Sequence, residues 1–186
     1  MLNPHIVIQA YTKGYFPMAH PDEDNEIFWH LPNMRGIIPI DDRFKVSKNL
    51  ARLYRKNKFQ LRINGNFKEV MLACARRDDT WISDEIIETY CQLNQMDVAY
   101  SFEAWLDGKL VGGLYGLAIG RAFFGESMFH TVTDASKIAL MFLVETLRKW
   151  DFQLLDSQYL NDHFRQFGAY EIPHEEYMIL LEDALS

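Results

Sequence analysis

The stretch that decides the fold is residues 98–129, VAYSFEAWLDGKLVGGLYGLAIGRAFFGESMF. Its side chains follow a period of two, which is typical of strands with one buried face. Asp107–Gly108 and Gly120–Arg121 interrupt the period as two short turns. The stretch therefore predicts three consecutive antiparallel strands, around which the rest of the chain is arranged.

Helical patterns lie on both sides of these strands, most of them preceded by a residue that commonly caps a helix. The predicted helices are Asn3 to a stop at Gly14, a helix capped by Ser47, FKEVMLACARR after Asn66, DEIIETYCQLNQM after Ser83, ASKIALMFLVETLRKW after Asp134, His163–Phe167, and Pro173–Leu185. Further strands are predicted at GIIPI (36–40), KFQLRI (58–63) and FQLLDSQ (152–158). This order predicts an α+β domain with a mixed sheet.

Composition limits the class of protein. The chain has 186 residues, of which 48% are hydrophobic, and this length suits one domain or one domain with a small appendage. No apolar run reaches the ~18 residues that span a bilayer, and the N-terminus lacks the pattern of a signal peptide. We therefore expect a cytoplasmic protein with no membrane partner. Cys74 and Cys91 lie in predicted helices, which favours reduced thiols.

Charge is distributed unevenly. The net charge is −7, yet residues 43–62, RFKVSKNLARLYRKNKFQLR, hold eight of the 19 basic residues and no acid. The remaining 11 bases and 26 acids give the rest of the chain a charge of −15. A solvated helix surface and a phosphate-binding face are both consistent with this pattern. If residues 1–60 form a small N-terminal subdomain, the basic stretch belongs mostly to it.

A carboxylate, Glu126, stands among apolar residues in FFGESMF. The alternation places it on one face with Phe124 and Met128 if no bulge intervenes, although Gly125 could introduce one. An unpaired carboxylate in apolar surroundings is costly, so we expect a group to face it.

A second carboxylate, Asp156, lies near the end of FQLLDSQ, where the alternation groups it with Phe152, Leu154 and Gln158. Both acids could be structural, paired with lysines or helix caps. Glycines are concentrated in the strands before them, which predicts bulges or a groove beside the sheet. Six of the ten glycines fall here: Gly108, Gly112, Gly113, Gly116, Gly120 and Gly125.

Several catalytic classes are excluded by spacing. Phe129 stands where a nucleophile elbow needs glycine, so Ser127 does not fit a serine hydrolase. The six histidines and two cysteines show no zinc-ligand spacing, and no metal or cofactor is predicted. Trp81, in a polar connection between two predicted helices, is either a core anchor or a platform on which a base stacks.

The sequence resembles the leucyl/phenylalanyl-tRNA-protein transferases over nearly its whole length. The motifs that carry the resemblance are YTKGYFPM, FWHLPNMRGIIPID, DTWIS, LVGGLYGLAIGRAFFGESMF, DASKIAL, LLDSQ and FGAYEIP, in that order. The resemblance implies a GNAT-like catalytic domain, here residues 61–186, after a small N-terminal domain. It also implies transfer of Leu, Phe and less readily Met from aminoacyl-tRNA to proteins that begin with Arg or Lys, which marks them for N-end-rule degradation.

The resemblance assigns roles to individual positions. Gln158 would hold the incoming α-amino group and Asp156 would orient or polarise it, while Glu126 would bind the cationic acceptor. Trp81 would stack on the terminal adenosine of the tRNA. The pocket for the transferred side chain would comprise Leu114, Phe123, Met128, Leu143, Leu147 and Leu155. The grip on the acceptor stem would comprise Lys48, Arg52, Arg55 and Lys56.

The chain departs from the family pattern at several places. Met18 stands where many members have tryptophan, Asp79 replaces a common glycine, and Ser157 replaces a cysteine. Because YTKG lies close to the first residue, we expect the chain to lack the N-terminal extension of longer members, and the segment FRQFGAYEIPH differs from the usual ending. These differences put a second adenosine contact in question and could alter tRNA affinity or acceptor preference.

Two other functions remain as alternatives. An acyl-CoA-dependent N-acyltransferase would need a glycine-rich pyrophosphate loop before the long helix, where this chain has SMFHTVTDA with an acid and no glycine. A non-catalytic tRNA-binding module would use the basic face alone.

Overall fold

The computed structural model describes residues 1–78 and 80–186, so Asp79 lies outside the described residues. The strands are β1 Phe16–His20, β2 Glu26–His30, β3 Met34–Ile37, β4 Gln60–Ile63, β5 Ala99–Leu106, β6 Lys109–Ile119, β7 Ala122–His130, β8 Leu154–Gln158 and β9 Tyr170–Pro173. The helices are α1 Pro4–Thr12, α2 Lys48–Arg55, α3 Phe67–Cys74, α4 Asp84–Gln95, α5 Ala135–Lys149, α6 Asp162–Arg165 and α7 His174–Leu185.

Seven strands form one sheet in the order β4-β5-β6-β7-β8-β3-β9. The β7–β8 pair is parallel and the other pairs are antiparallel. Strands β5, β6 and β7 are joined by the two predicted turns, which confirms the meander. The prediction of a mixed, mainly antiparallel sheet in an α+β domain is also confirmed.

The sheet is covered on both faces, which is why nearly every strand carries apolar residues on both sides. Residues of α1, α3, α4 and α7 form one buried cluster against the sheet. Residues of α2 and α5 form a second cluster on the other face. Phe124 belongs to the first cluster and Phe123 to the second, as successive strand residues should. Among the described residues, no helix is long and apolar enough to cross a membrane.

Most helix starts are confirmed by their capping hydrogen bonds. The side chains of Asn3, Ser47, Asn66 and Ser83 each accept a backbone N–H from the first turn of their helix. Asp134 was wrongly predicted as a side-chain cap. It stands before α5 with φ +67° and makes no capping hydrogen bond.

Several elements differ from the prediction, among them β8, which begins at Leu154, and α6, which spans Asp162–Arg165 where His163–Phe167 was predicted. Helix α3 ends at Cys74, before the predicted end at Arg77, and β3 begins at Met34 and ends before Pro39. The connection 15–36 contains the β1–β2 hairpin. Strand β9 was missed because its four residues, YEIP, are too short to show a period.

The glycines of β6 serve packing more than a groove. A Cβ on Gly112 would lie 2.5 Å from the Cβ of Ala135, so glycine here lets α5 approach the sheet closely. A Cβ on Gly116 would lie 2.2 Å from the carbonyl oxygen of Phe124. The space beside Gly112 and Gly116 is thus filled by protein, whereas Gly125 borders an apolar cavity.

A bulge interrupts the β6–β7 ladder. Tyr115 pairs with Ser127 and Gly116 pairs with Gly125, so Glu126 has no partner in the register. Met128 packs against the second cluster, whereas Phe124 belongs to the first, so the alternation breaks at the bulge. The grouping of Met128 with Phe124 on one face was therefore wrong, because the bulge that Gly125 could introduce is present.

The division at residue 60 stays a prediction. Within residues 1–60, β3 lies inside the seven-stranded sheet between β8 and β9. Helix α2 packs against α5 through Leu50, and its Tyr54 hydroxyl donates to Glu145 at 2.6 Å.

Candidate active site

Two neighbouring strands bring the carboxylates together. Strand β7 runs parallel to β8, with Phe124 opposite Asp156. Each strand continues by two residues to a polar side chain, Glu126 on β7 and Gln158 on β8. The Gln158 Nε2 donates to Glu126 Oε2 at 3.1 Å, so the strand ends are joined through their side chains.

Asp156 is buried and paired with an arginine. The Arg35 Nε lies 3.0 Å from Asp156 Oδ1, and its Nη2 lies 2.8 Å from Oδ2, so the ion pair is bidentate. Both side chains have at most 1% exposure. Tyr177 also donates to Oδ2, at 2.7 Å. Since Asp156 is saturated with donors and hidden from solvent, it can act on a substrate only through its neighbours.

Arg35 is itself held on several sides. Its Nη1 donates to the Gly14 carbonyl at 2.7 Å, and its guanidinium carbon lies 4.2 Å from the centre of the Tyr177 ring. Burial acts to lower the pKa of Arg35, but the Asp156 carboxylate outweighs it and raises that pKa above the usual range. The contacts of Arg35 thus tie β3, β8, α7 and the end of α1 together.

Gln158 has an unusual backbone. Its φ is +65°, a region that residues other than glycine seldom adopt, and its N–H donates to Asp156 Oδ1 at 2.7 Å. The carboxylate therefore holds the turn that aims the Gln158 side chain at Glu126. A strained residue kept by a buried ion pair is typical of a functional site.

Glu126 is faced by a phenol and an amide. Tyr11 donates to its Oε1, and Gln158 donates to its Oε2. Burial raises the pKa of Glu126 to about 7, although both hydrogen bonds act to lower it. Among the described residues no lysine, arginine or histidine forms an ion pair with it. The structural alternative of a lysine partner therefore does not hold for Glu126, whereas Asp156 does have a basic partner.

An apolar cavity of about 50 Å³ opens beside these groups. Four of the six predicted pocket residues line it: Leu114, Met128, Leu143 and Leu155. Phe123 and Leu147 are fully buried in the same cluster without being among the lining residues. The cavity has room for little more than one or two water molecules, so it must widen to take a large side chain.

A wider groove of about 420 Å³ runs past the cavity mouth. Glu126 and Gln158 lie in it, and Trp81, Met18 and Tyr159 contribute to its walls. Trp81 is half-buried against the first cluster while one side borders the groove. It is therefore both a core anchor and an available ring surface.

Family models match almost the entire chain. The leucyl/phenylalanyl-tRNA protein transferase model matches residues 37–182, and the model of that family's N-terminal domain matches residues 1–33. The chain belongs to this family. Its members are aminoacyltransferases, and the resemblance noted in the sequence is confirmed.

Curated relatives agree along the full length. A leucyl/phenylalanyl-tRNA–protein transferase of Herpetosiphon aurantiacus is 51% identical over 99% of this chain and 95% of its own. One of Gloeobacter violaceus is 48% identical over 100% of this chain and 95% of its own.

Solved structures confirm the GNAT-like fold. FemX superposes with a TM-score of 0.63 at 13% identity, covering 76% of this chain and 60% of its own. L-PGS from Bacillus licheniformis gives a TM-score of 0.51 at 8% identity, covering 97% of this chain and 70% of its own.

The basic residues predicted to bind tRNA lie apart from the groove. Lys48, Arg52, Arg55 and Lys56 are exposed on or just after α2, and none of them lines the cavity or the groove. The apolar side of α2 packs on α5, which leaves the basic side free to meet another molecule.

Sequence reasoning missed the groups that surround the acids: Tyr11, Arg35, Tyr90 and Tyr177. Arg35 had a signal, because it is a base outside the basic stretch at the start of a strand. The requirement that a buried carboxylate be paired could have led to it. The tyrosines carried no comparable signal.

Within residues 1–78 and 80–186, no group of three or more His, Cys, Asp or Glu is placed to hold an ion. His20 and His30 face each other across the hairpin with their Nε2 atoms 3.1 Å apart.

Proposed function

We propose that this protein transfers Leu, Phe and less readily Met from aminoacyl-tRNA to proteins with N-terminal Arg or Lys, in the cytoplasm, and so marks them for N-end-rule degradation. The observation that carries the proposal is an apolar cavity whose mouth meets Glu126 and Gln158 in an open groove. The cavity suits the transferred side chain, and the groove leaves room for the two reactants.

The reaction needs positioning more than activation. The aminoacyl ester is already reactive, so a neutral α-amino group attacks its carbonyl carbon, the C–N bond forms, and the ester C–O bond breaks. The tRNA ribose oxygen leaves with a proton, and the amine loses one. In this proposal Gln158 holds the α-amino group, Asp156 fixes Gln158, and Glu126 binds the positive charge of the acceptor. None of these steps calls for a cofactor.

The acceptor assignment is tested with labelled Leu-tRNA and peptides that differ only in their first residue. Label should appear on peptides that begin with Arg or Lys and stay absent from those that begin with Asp, Glu or Ala. Label on none of the peptides would refute the transferase proposal. Label on Asp or Glu alone would keep the reaction and overturn the acceptor.

Donor choice should depend on Met128. Replacing it with alanine widens the cavity, so kcat/KM for Phe-tRNA relative to Leu-tRNA should rise by about 10-fold, as expected for one or two methylene groups in an apolar pocket. Met96→Ala is the matched control because Met96 is 39% exposed and lies outside the cavity. An unchanged ratio in Met128→Ala would remove the cavity from donor selection.

The α2 surface should carry much of the affinity for tRNA. In the double variant Arg52→Ala/Arg55→Ala, binding of Leu-tRNA should weaken by about 10-fold near 0.1 M salt, and the slope of log K against log salt should become shallower by about 2. The variant Lys109→Ala/Arg121→Ala removes the same charge elsewhere and should leave the slope nearly unchanged. Equal slopes in the two variants would contradict the assigned tRNA face.

A further inference from the structure

A tyrosine of α1, Tyr11, contacts the Glu126 carboxylate. Tyr11 lies in the last turn of α1, is fully buried, and donates its hydroxyl proton to Glu126 Oε1. Its ring meets Phe124 edge-on at 5.0 Å between ring centres. The oxygen of Tyr90, on α4, lies 2.7 Å from the oxygen of Tyr11. Since Tyr11 gives its proton to Glu126, Tyr90 must donate to Tyr11.

We propose that Tyr11, supported by Tyr90, is a positioning residue that favours the charged form of Glu126 and aims it into the groove, ready for the cation of the acceptor. This inference rests on the role proposed above for Glu126. Tyr11 touches neither reactant, because it is buried beneath the carboxylate and acts only through it.

The carboxylate needs such support for two reasons. It is the unpaired residue of the bulge, so no ladder partner on β6 fixes its backbone, and apolar residues share the cavity lining with it. Burial raises the pKa of Glu126, and the negative charge of Asp156 adds to this effect, whereas Tyr11, Gln158 and Arg35 act to lower it. Each oxygen of Glu126 accepts one hydrogen bond. The cation of the acceptor can therefore approach Glu126 from the groove that it lines.

Tyr11 is suited to remain a donor. Burial, and then the nearby Glu126 charge, raise the pKa of Tyr11 well above its usual range, so its proton stays on the phenol. Burial and the Glu126 charge have the same effect on the pKa of Tyr90. The hydrogen bonds are thus donated in one direction, from Tyr90 to Tyr11 and from Tyr11 to the Glu126 carboxylate.

The first helix is itself fixed to the reaction centre. The Gly14 carbonyl, just after α1, accepts from Arg35 Nη1 at 2.7 Å, and Arg35 grips Asp156. One short segment therefore contacts both carboxylates, through Tyr11 and through Gly14. Residues 1–33 match a separate N-terminal domain model, and here they complete the acceptor side of the site.

Tyr11→Phe tests the inference because it keeps the ring and removes the donor. We expect the acid limb of kcat/KM for an Arg-peptide to move to higher pH by about one unit, and KM for the peptide to rise by about 10-fold at pH 7. KM for Leu-tRNA should stay within about two-fold. Tyr90→Phe should shift the limb in the same direction by less, since the Tyr11 bond remains.

Tyr115→Phe is the matched control. Tyr115 is a buried phenol whose ring meets that of Tyr90, and its hydroxyl has no hydrogen-bond partner among the described residues. Removing this hydroxyl should leave the acid limb of kcat/KM at the pH found for the unaltered protein. Thermal unfolding of each variant shows that it remains folded at the assay temperature. A Tyr11→Phe variant that loses activity equally at every pH, or a Tyr115→Phe variant that shifts the limb as far, would overturn the inference while leaving the transferase function intact.

A direct titration separates the inference from the function. With ¹³C-labelled glutamate, the Glu126 carboxyl should titrate at a higher pH in Tyr11→Phe than in the unaltered protein. This measurement needs no turnover, so it decides the role of Tyr11 even if no peptide accepts label. An unchanged Glu126 titration would overturn the inference.

Discussion

Replacing Asp156 with asparagine is expected to destabilise the fold by about 3–5 kcal/mol and to lower kcat/KM by at least about 100-fold. The loss of stability follows because Arg35 is 1% exposed and would keep its charge without a counter-ion. The loss of activity follows because the N–H of Gln158 donates to Asp156 at 2.7 Å, which holds Gln158 at φ +65°. Urea unfolding and transfer from Leu-tRNA to an Arg-peptide measure the two effects.

A double variant separates these effects. In Asp156→Leu/Arg35→Met both charges are removed and apolar groups replace them, so much of the lost stability should return. Activity should not return, because Gln158 still lacks the carboxylate that orients it. Binding of tRNA should be retained. Retained binding together with lost transfer would exclude a function limited to tRNA binding. Recovery of transfer in the double variant would show that Asp156 serves only to neutralise Arg35.

Replacing Glu126 with glutamine is expected to impair use of the acceptor by about 100-fold in kcat/KM while changing tRNA binding little. An amide keeps the size and the bond from Tyr11 but loses the charge that would meet the acceptor cation, a contact worth several kcal/mol when partly buried. Peptide and tRNA titrations at pH 8 compare the two substrates. Equal losses for both substrates would count against an acceptor-binding role.

The same substitution should raise stability at pH 8 by about 3 kcal/mol. The pKa of Glu126 is raised from 4.5 to about 7 in the folded protein, so the unfolded chain ionises first as pH rises. Its ionisation therefore costs stability progressively between these values, and the cost is complete above pH 7. The glutamine variant escapes this cost, and its advantage should vanish below pH 4.5. Urea unfolding at pH 8 and pH 4 measures it, and a variant less stable at pH 8 would contradict the assigned surroundings of Glu126.

A gain in stability together with a loss of transfer would identify Glu126 as a residue kept for function. Asp156 should behave in the opposite way, because its removal damages both properties. The two acids, which looked alike in the sequence, are thus distinguished by what surrounds them. Arg35 already neutralises Asp156, whereas Glu126 has only neutral donors.

Local sequence was sufficient wherever a structure depends on near neighbours. The meander followed from a period of two and two short turns, and the four side-chain caps followed from residue type. The nearness of Glu126 and Asp156 could also be anticipated, since each lies toward the end of a strand beside apolar residues. The parallel pairing of β7 with β8 then required only the crossover through α5.

The partners of the acids depended on distant contacts. Arg35 and Asp156 are separated by 121 positions, and Tyr11 and Glu126 by 115, so no periodic pattern links them. The bulge at Glu126 depends on how β6 pairs with β7, and one step of register exchanges the two faces of a strand.

The sequence by itself determined the three-stranded meander, most of the helices, the family and the identity of the polar residues on β7 and β8, because these depend on composition and short-range pattern. Only the tertiary structure decided that Asp156 is neutralised by Arg35 and that Glu126 stays open to the groove. It also decided that Tyr11 of α1 donates a hydrogen bond to Glu126. The physical reason is that burial and pairing, which set the charge and orientation of a carboxylate, arise from residues brought together by packing.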